Sequence, residues 1–145
     1  MPPDKPSEET LRKMLDIQWQ DHFQTRAQTW KALEITGILA VALVGLDWRI
    51  DNRIVTIVAS VLLLLVAQFG VSITLRHRKV EVTKFRIITS LEKQLGVADE
   101  SLQLPQPISW WSIFDPRKSN TSLFILRTLV IIQLFAIGYC FLRLR

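Results

Sequence analysis

The sequence predicts an all-α membrane protein made of a long helical hairpin, two spans with cytoplasmic extensions, plus a third transmembrane helix. Residues 54–75 are 22 consecutive residues without a charge, more than the roughly 20 that cross about 30 Å of hydrocarbon. Residues 122–142 form another apolar segment. The polar segments that flank the first two spans, residues 7–30 and 76–95, carry apolar residues at helical spacing and contain neither proline nor glycine, so each is predicted to continue its span as a helix.

Composition alone would fit a soluble domain, because 49% of the 145 residues are hydrophobic and 21% are charged. The two kinds are segregated along the chain, however, as in a membrane protein. The net charge of +5 is explained by positive residues that flank the spans and contact anionic lipid. We therefore expect membrane lipid as a partner and no nucleic acid. The single cysteine, Cys140, excludes a disulfide within the chain and a cysteine-based zinc site.

Residues 1–30 are predicted to form a cytoplasmic amphipathic helix. Ser7 gives a start signal, and Glu8 and Glu9 lie in the first turn, where negative charge favours the helix dipole. No apolar core of a cleavable signal peptide precedes the first span. The apolar face leads directly into that span and consists of Leu11, Leu15, Trp19, Phe23 and Trp30.

Residues 31–48 are predicted to be the first transmembrane helix, although the uncharged run inside them, residues 35–46, has only 12 residues. Trp30 and Trp48 bound the segment. Their separation of 18 residues is about 27 Å along a helix, which matches the spacing of two interfacial aromatic belts. Glu34 then lies just inside the cytoplasmic end of the span.

A short periplasmic turn, residues 49–53, joins the first span to the second, residues 54–75. Residues 76–95 continue as a second cytoplasmic amphipathic helix, and Gly96 is the expected stop. Each span with its extension is predicted to be a helix of about 42 residues, roughly 63 Å long. Because helices joined by a short connection pack as antiparallel neighbours, residue i is expected near residue 101 minus i.

This register brings opposite charges of the two extensions together. Exposed pairs of this kind are worth only a few tenths of a kcal/mol each and would select the register more than stabilise it. The alternative is two solvated faces with unrelated charges. His22 and His77 also come close, and two imidazoles without a further ligand are expected to be structural, so no metal site is predicted. The expected pairs are Glu8 and Glu9 with Lys93, Asp16 with Lys84 and Arg86, and Asp21 with Arg78 and Lys79.

Residues 96–121 are predicted to form an interfacial strap between the second and third spans. Three prolines exclude a single helix, while the aromatic residues are too apolar for an exposed linker. Trp110 and Trp111 are expected at headgroup level. The alternative is that this segment packs on a neighbouring subunit or a partner. Asn120 or Thr121 is expected to cap the third span.

The third transmembrane helix, residues 122–142, contains Arg127, and a guanidinium in hydrocarbon costs at least about 2.5 kcal/mol. Glu34 is predicted at the same depth, where a forked contact between its carboxylate and Arg127 would relieve both charges. Gln68 is expected to complete this group, and Gln133 is the fourth member of the intramembrane polar cluster. The alternative is that Arg127 snorkels to the headgroups.

Two stripes of small residues predict close approach of neighbouring helices. Because three spans of this size bury little surface together, we expect a homo-oligomer. The hydroxyl groups of the spans could line an aqueous path, or they could bond to backbone and to neighbouring helices. The stripes are Ala32, Thr36 and Ala40 on the first span and Ala67, Gly70 and Thr74 on the second, and the hydroxyls are those of Thr56, Ser60, Ser72 and Thr74.

Lysine and arginine counts predict the orientation of the spans. Thirteen of these residues lie in the N-terminal segment and between the second and third spans, against four on the other side. The prediction is a multi-pass protein of the bacterial inner membrane with a cytoplasmic N-terminus and an outer C-terminus. The expected interfacial anchors are Trp30, Trp48, Trp110 and Trp111.

Sequence motifs of catalysis are not found. The chain has no glycine-rich phosphate loop, no H-E-x-x-H and no G-x-S-x-G, so neither catalytic residues nor a cofactor are predicted. An enzyme is the least favoured class.

The run "WQDHFQTRAQTWKALE" before the first span and "ITLRHRKVEVTKFRIITSLEKQLG" at the end of the second resemble small bacterial membrane proteins of the SLATT class and of the RipA-like octameric class. The resemblance covers about residues 10–96 and rests on layout. It implies a pore-forming antiphage effector in the first case and a ring assembly in the second. The expected function is a self-assembling protein that forms or gates a pore. The alternative is a non-conducting scaffold or accessory subunit that recruits a soluble partner through its helical stalk.

Overall fold

The computed structural model describes residues 6–97, 108, 110–115, 117–118 and 120–145. Three α-helices and a single turn of 3₁₀ helix make up the fold of this part of the chain. The helices are α1, Glu8–Ile50; α2, Arg53–Leu95; the 3₁₀ turn, Trp110–Ile113; and α3, Thr121–Leu144. All three α-helices are long and apolar enough to cross a membrane, and α1 and α2 form a hairpin. The predicted fold class is confirmed.

The hairpin is made by two helices of 43 residues each, about 65 Å long, as the absence of helix breakers predicts. They are joined by only two residues, Asp51 and Asn52. Asp51 adopts the left-handed conformation with φ of 49°, and its N–H donates to the Asp47 carbonyl. The Asn52 side chain accepts from the Ile54 N–H at 2.8 Å. Aspartate and asparagine suit such a turn because they tolerate the left-handed region and bond to nearby backbone.

The helix ends follow the signals in the sequence. The Ser7 hydroxyl accepts a backbone N–H three residues later and begins α1. Gly96, with φ of 71°, ends α2 in the left-handed conformation that glycine adopts without a steric cost. Of the two candidate caps for α3, Asn120 is the cap, and Thr121 is the first helical residue.

Helix α2 is the centre of the bundle, because it packs against both α1 and α3, which touch each other much less. A methyl group at Gly70 would lie 3.1 Å from both terminal carbons of Leu129, so the small residue allows α3 to approach closely. The stripe on α2 is buried throughout, whereas on α1 only Thr36 is fully buried and Ala32 and Ala40 are half-buried. The main apolar cluster consists of Val71, Ile125, Leu126 and Leu129.

The register between the two arms, residues 8–30 of α1 and 76–95 of α2, differs from the prediction. Lys84 forms an ion pair of 2.5 Å with Asp21, whereas the predicted register placed it beside Asp16. The hairpin is centred between Asp51 and Asn52, one residue later than assumed, which alone shifts the register by two residues. Helical side chains also point toward the N-terminus of their own helix, so Lys84 reaches toward the turn and meets a later residue of α1.

The predicted pairing of Glu8 and Glu9 with Lys93 is also wrong. Glu8 pairs with Arg12 at 2.6 Å and Glu9 pairs with Lys13 at 2.8 Å, both within α1 at a spacing of four residues. These pairs are local because residues four apart on a helix are neighbours whatever the partner helix does. They therefore carry no information about the register.

Candidate functional site

The residues predicted to form one intramembrane cluster lie in three different places. Arg127 binds the backbone of the strap, Gln68 and Gln133 bind each other, and Glu34 is exposed on α1. Within the described residues, no hydrogen bond or ion pair joins Glu34 to Arg127. The predicted pair between them is therefore wrong.

Arg127 is held by four backbone carbonyl groups that precede α3. Its Nε donates to the carbonyl of Ile113 at 2.8 Å, and its Nη2 donates to those of Asp115 at 2.5 Å, Lys118 at 3.0 Å and Ser112 at 3.3 Å. Ser112 and Ile113 end the 3₁₀ turn, and Asp115 and Lys118 follow it. The Asp115 carbonyl also accepts the Lys118 N–H at 3.2 Å, but carbonyls at the end of a helical turn lack helical donors and must be satisfied where water is scarce. The guanidinium, with five donors, supplies what this backbone lacks. Arg127 thus clamps the strap onto the start of α3.

The described part of the strap has one buried face and one exposed face. Ser112 and Ile113 are buried, whereas Trp111 is 82% exposed and Phe114 is exposed as well. Such a surface, at the depth of the arm-side end of α3, fits the predicted interfacial position. The side chain of Trp110 and residues 98–107 lie outside the described residues.

The amide side chains of Gln68 and Gln133 form a pair on the outer surface of the α2–α3 interface. The Gln133 Nε2 donates to the Gln68 Oε1 at 2.9 Å. Ser72, one helical turn away on α2, is also exposed and donates to the Gln68 carbonyl at 3.0 Å. We call Gln68, Ser72 and Gln133 the amide stripe. Gln68 lies seven residues inside the second span, about 10 Å from its arm-side end.

Two further hydroxyls of the spans bond to backbone within their own helices. Thr36 donates to the Ala32 carbonyl at 2.7 Å, and Thr74 donates to the Gly70 carbonyl at 2.8 Å. The Ser60 hydroxyl is buried and has no hydrogen-bond partner in the described part of the chain. Of the two predicted roles, bonding to backbone therefore holds for Thr74, as it does for Ser72 in the amide stripe.

The sequence analysis missed a buried carboxylate at the hairpin end of the bundle. Asp47 has no exposed surface and accepts from the Thr56 hydroxyl at 2.6 Å, the Tyr139 hydroxyl at 2.5 Å and the Arg143 Nε at 3.4 Å. These donors come from α2 and α3, so one side chain of α1 ties all three helices together. Arg143 also pairs with Asp51 at 3.0 Å.

A depth argument could have found this network. Asp47 lies one residue before Trp48, and a carboxylate at the end of a span needs a partner at the same level. Tyr139 and Arg143 lie near the corresponding end of α3. The sequence analysis counted Arg143 among the positive residues that predict orientation but assigned it no partner. In the structure its guanidinium carbon lies 5.9 Å from the centre of the Trp48 ring, a cation–π distance.

A second polar site lies where the arms meet the spans, and we call it the arm-base pocket. It is lined by residues of all three helices, among them His22, Arg26, His77, Lys84 and Thr121. The void measures about 410 Å³ with its open mouth included, and its interior has room for about one water molecule.

Both histidines line this pocket, which agrees with their predicted proximity. His22 is buried with its Nδ1 3.9 Å from the Glu81 carboxylate, and the Nδ1 of His77 lies 2.9 Å from the Thr29 hydroxyl. Burial lowers the pKa of both imidazoles, and the nearby Lys84 lowers both further. In the described part of the chain, no group of three or more histidine, cysteine, aspartate or glutamate side chains could hold a metal ion.

The other predicted anchors lie at the two ends of the spans. Trp30 is partly exposed with its ring centre 6.1 Å from that of Phe124, and Trp48 is exposed at the hairpin end. Aromatic side chains at both ends of a bundle are typical of membrane boundaries.

Comparison of the chain with protein-family models, with curated proteins and with solved structures found no match. The resemblance to SLATT and RipA-like proteins stays a prediction from sequence layout. The function is therefore argued from the geometry of the chain itself.

Proposed function

We propose that the protein is a self-assembling protein of the bacterial inner membrane whose copies form or gate a pore. The observation that carries this proposal is the amide stripe. In a single copy, Gln68 and Ser72 are exposed and Gln133 is half-buried, at a depth where lipid chains would surround them. The bond between Gln68 and Gln133 uses one donor and one acceptor of the two amides, and each amide has further donors and acceptors. Such groups are costly in hydrocarbon, and in membrane bundles they normally bond across helices or face water.

The stripe continues toward the arm side of the membrane. Gln68, Ser72 and Arg76 are spaced by four residues on one face of α2, and all three are exposed. They form a polar line about 12 Å long, from about 10 Å inside the second span to its arm-side end. In an assembly this line would contact a neighbouring copy or border a water-filled lumen. Either arrangement removes the amides from lipid.

The orientation in this proposal follows the distribution of positive residues. Both arms and the strap carry most lysines and arginines, which favours a cytoplasmic position for them. The arm-side end of the amide stripe would then lie nearest the cytoplasm, where the arms could control access to it.

Flux through liposomes tests the proposal. The purified full chain is expected to let potassium flow out of loaded liposomes. The variant Gln68→Leu/Gln133→Leu is expected to lose most of this potassium flux. Gln28→Leu is the matched control, because Gln28 is an exposed glutamine of the α1 arm outside the stripe. Equal flux in the double variant and the wild type would remove the stripe from the mechanism.

The non-conducting scaffold is the second candidate, and one observation favours it. The arms keep large apolar side chains exposed where the sequence predicts water, with Phe23 61% exposed and Met14, Ile17 and Ile87 also exposed. A soluble partner could bury them. An oligomer that leaves the potassium gradient intact in liposomes would favour the scaffold and contradict the pore.

A further inference from the structure

Positive charge is concentrated in the arm-base pocket. Arg26, Arg78 and Lys84 all line it, whereas Glu81 is the one carboxylate among its described lining residues. Glu81 pairs with Arg78 at 2.5 Å, so its charge is already engaged. Arg26 and Lys84 are therefore left as the cations of the pocket that Glu81 does not neutralise.

Arg26 and Lys84 have binding capacity left for an anion. The Arg26 Nη2 donates to the Thr121 hydroxyl at 2.9 Å, and within the described residues no carboxylate lies at ion-pair distance from Arg26. Lys84 pairs with Asp21, whose side chain is half exposed at the rim, and donates to the Thr25 hydroxyl at 3.2 Å. A guanidinium and an ammonium with further free N–H groups suit the several oxygens of a phosphate.

The start of α3 adds to this positive potential. Thr121 and Ser122, its first two residues, line the pocket. The first backbone N–H groups of a helix lack intrahelical partners and, with the helix dipole, favour a negative group. This helix end therefore reinforces the cationic side chains.

The mouth of the pocket lies beside an apolar surface. Trp30 lines the pocket, and its ring packs near that of Phe124, with both rings about half exposed. These aromatic residues lie at the arm-side ends of the first and third spans. A ligand with a charged end and an apolar end would place the first in the pocket and the second along this surface.

We propose that the open mouth of the arm-base pocket binds the phosphate of an anionic phospholipid headgroup, with the acyl chains along Trp30 and Phe124. The proposal is independent of pore formation, because it rests on the pocket of a single chain. Arg26 and Lys84 contact the phosphate oxygens, and the Thr121 hydroxyl, which accepts from Arg26, donates to them. A bound lipid would join the two arms and α3 at the level where the arms leave the membrane.

Native mass spectrometry of the full chain from nanodiscs tests this site. We expect the protein to retain phosphatidylglycerol in preference to phosphatidylcholine. Arg26→Gln should weaken phosphatidylglycerol retention about fivefold, the effect of one basic residue near an anionic lipid surface, and Arg26→Gln/Lys84→Gln should weaken it further. Arg26 is exposed, so its replacement is compatible with folding, and a thermal melt of each variant checks this.

Lys79→Gln is the matched control, because Lys79 is an exposed residue of the same arm that does not line the pocket. It should leave retention unchanged. Equal loss in Lys79→Gln and Arg26→Gln would mean that surface charge alone attracts the lipid and would overturn the site. Equal retention of the two lipids would overturn it as well. Competition by inorganic phosphate that depends on Arg26 supports the phosphate chemistry, whereas phosphate binding without a lipid preference would overturn the assignment to lipid.

Discussion

Asp47 shows how much one side chain contributes to the assembly of three helices. Its carboxylate has no exposed surface and receives hydroxyl hydrogen bonds from Thr56 on α2 and Tyr139 on α3. A buried carboxylate is tolerated only when its oxygens are satisfied. The network therefore fixes the relative positions of the helices at the hairpin end.

Replacing Asp47 with leucine should destabilise the bundle by about 2 to 3 kcal/mol, because the buried hydroxyl of Thr56 and the half-buried hydroxyl of Tyr139 lose their acceptor. Thermal unfolding in detergent measures this as a lower Tm. Asp51→Asn is the matched control, since Asp51 pairs with the same Arg143 but is exposed, and exposed pairs contribute little. Equal shifts for the two variants would contradict the role of Asp47.

Arg127 is predicted to hold the strap rather than a carboxylate. Arg127→Leu removes bonds to four carbonyls, each worth about 1.5 to 3 kcal/mol when the donor is charged, although not additively. We expect faster hydrogen exchange across residues 110–118, measured by mass spectrometry. Arg127→Lys should give an intermediate result, because one ammonium reaches fewer carbonyls.

Glu34→Leu provides the contrast, because Glu34 is exposed. It should leave exchange of the strap unchanged, and its effect on stability should add to that of Arg127→Leu, as for independent sites. If the double variant lost less stability than the two single variants together, the two residues would be coupled. That result would support the ion pair and contradict the clamp.

His22 makes the pairing of the arms depend on pH. Burial lowers its pKa, Arg26 and Lys84 lower it further, and Glu81 opposes them. The pKa of histidine in the unfolded chain is about 6.5, above that of His22 in the folded chain. As the pH falls below about 6.5, the unfolded chain therefore binds more protons than the folded chain does. The stability from neutral His22 is thus complete above about pH 6.5 and is lost as the pH falls through the folded-state pKa.

Acidification from pH 7.5 to pH 5.5 should therefore loosen the arms, which hydrogen exchange near residues 19–23 would show after correction for intrinsic rates. His22→Asn should reduce this pH dependence. The pKa of His77 shifts in the same direction, so the variant with both histidines replaced should lose most of it. An unchanged pH profile in that variant would contradict the role of the imidazoles.

At the scale of elements, helix lengths and caps were predictable from the sequence. The second span is a charge-free run, and the two arms lack breakers, so two helices of about 42 residues were expected, and 43 are observed for each. Ser7, Gly96 and Asn120 carry side-chain or backbone preferences that act locally. Helix lengths and caps depend on residues that are close together in the chain, which is why they can be predicted from the sequence alone.

The register and the partner of Arg127 depend on geometry that residue types do not encode. A two-residue turn moved the centre of the hairpin, and side-chain direction moved the partner of Lys84 along α1. The acceptors of Arg127 are backbone carbonyls of irregular structure, whereas a search for opposite charges considers only side chains. Burial of Asp47 was not predicted because Asp47 lies at the edge of the uncharged run, residues 35–46, rather than inside it.

Crosslinking tests the register of the arms directly. In a chain with Cys140 replaced by serine, cysteines at Asp21 and Lys84 should react together with a short bifunctional thiol reagent. The pair at Asp16 and Lys84 is the control, and it should crosslink much more slowly. A faster reaction of the control pair would restore the predicted register and contradict the observed one.

At the scale of the whole molecule, two exposed surfaces favour assembly. The amide stripe is polar where the bilayer is apolar, and the arms are apolar at Ile17 and Phe23 where the surroundings are predicted to be water. Each surface therefore faces a medium that is unfavourable for it: lipid chains for the polar amide stripe, and water for the apolar side chains of the arms. Further copies of the chain could cover both at once, because the surfaces lie at different depths of the same bundle.

The mass of the detergent-solubilised complex tests self-assembly most directly. Light scattering or native mass spectrometry of the purified full chain should give a multiple of the 16.8 kDa protomer. Gln68→Leu/Gln133→Leu should shift the distribution toward smaller species, whereas Gln28→Leu should not. A wild-type protein that is monomeric both in mild detergent and in lipid nanodiscs would contradict self-assembly and, with it, the proposed pore.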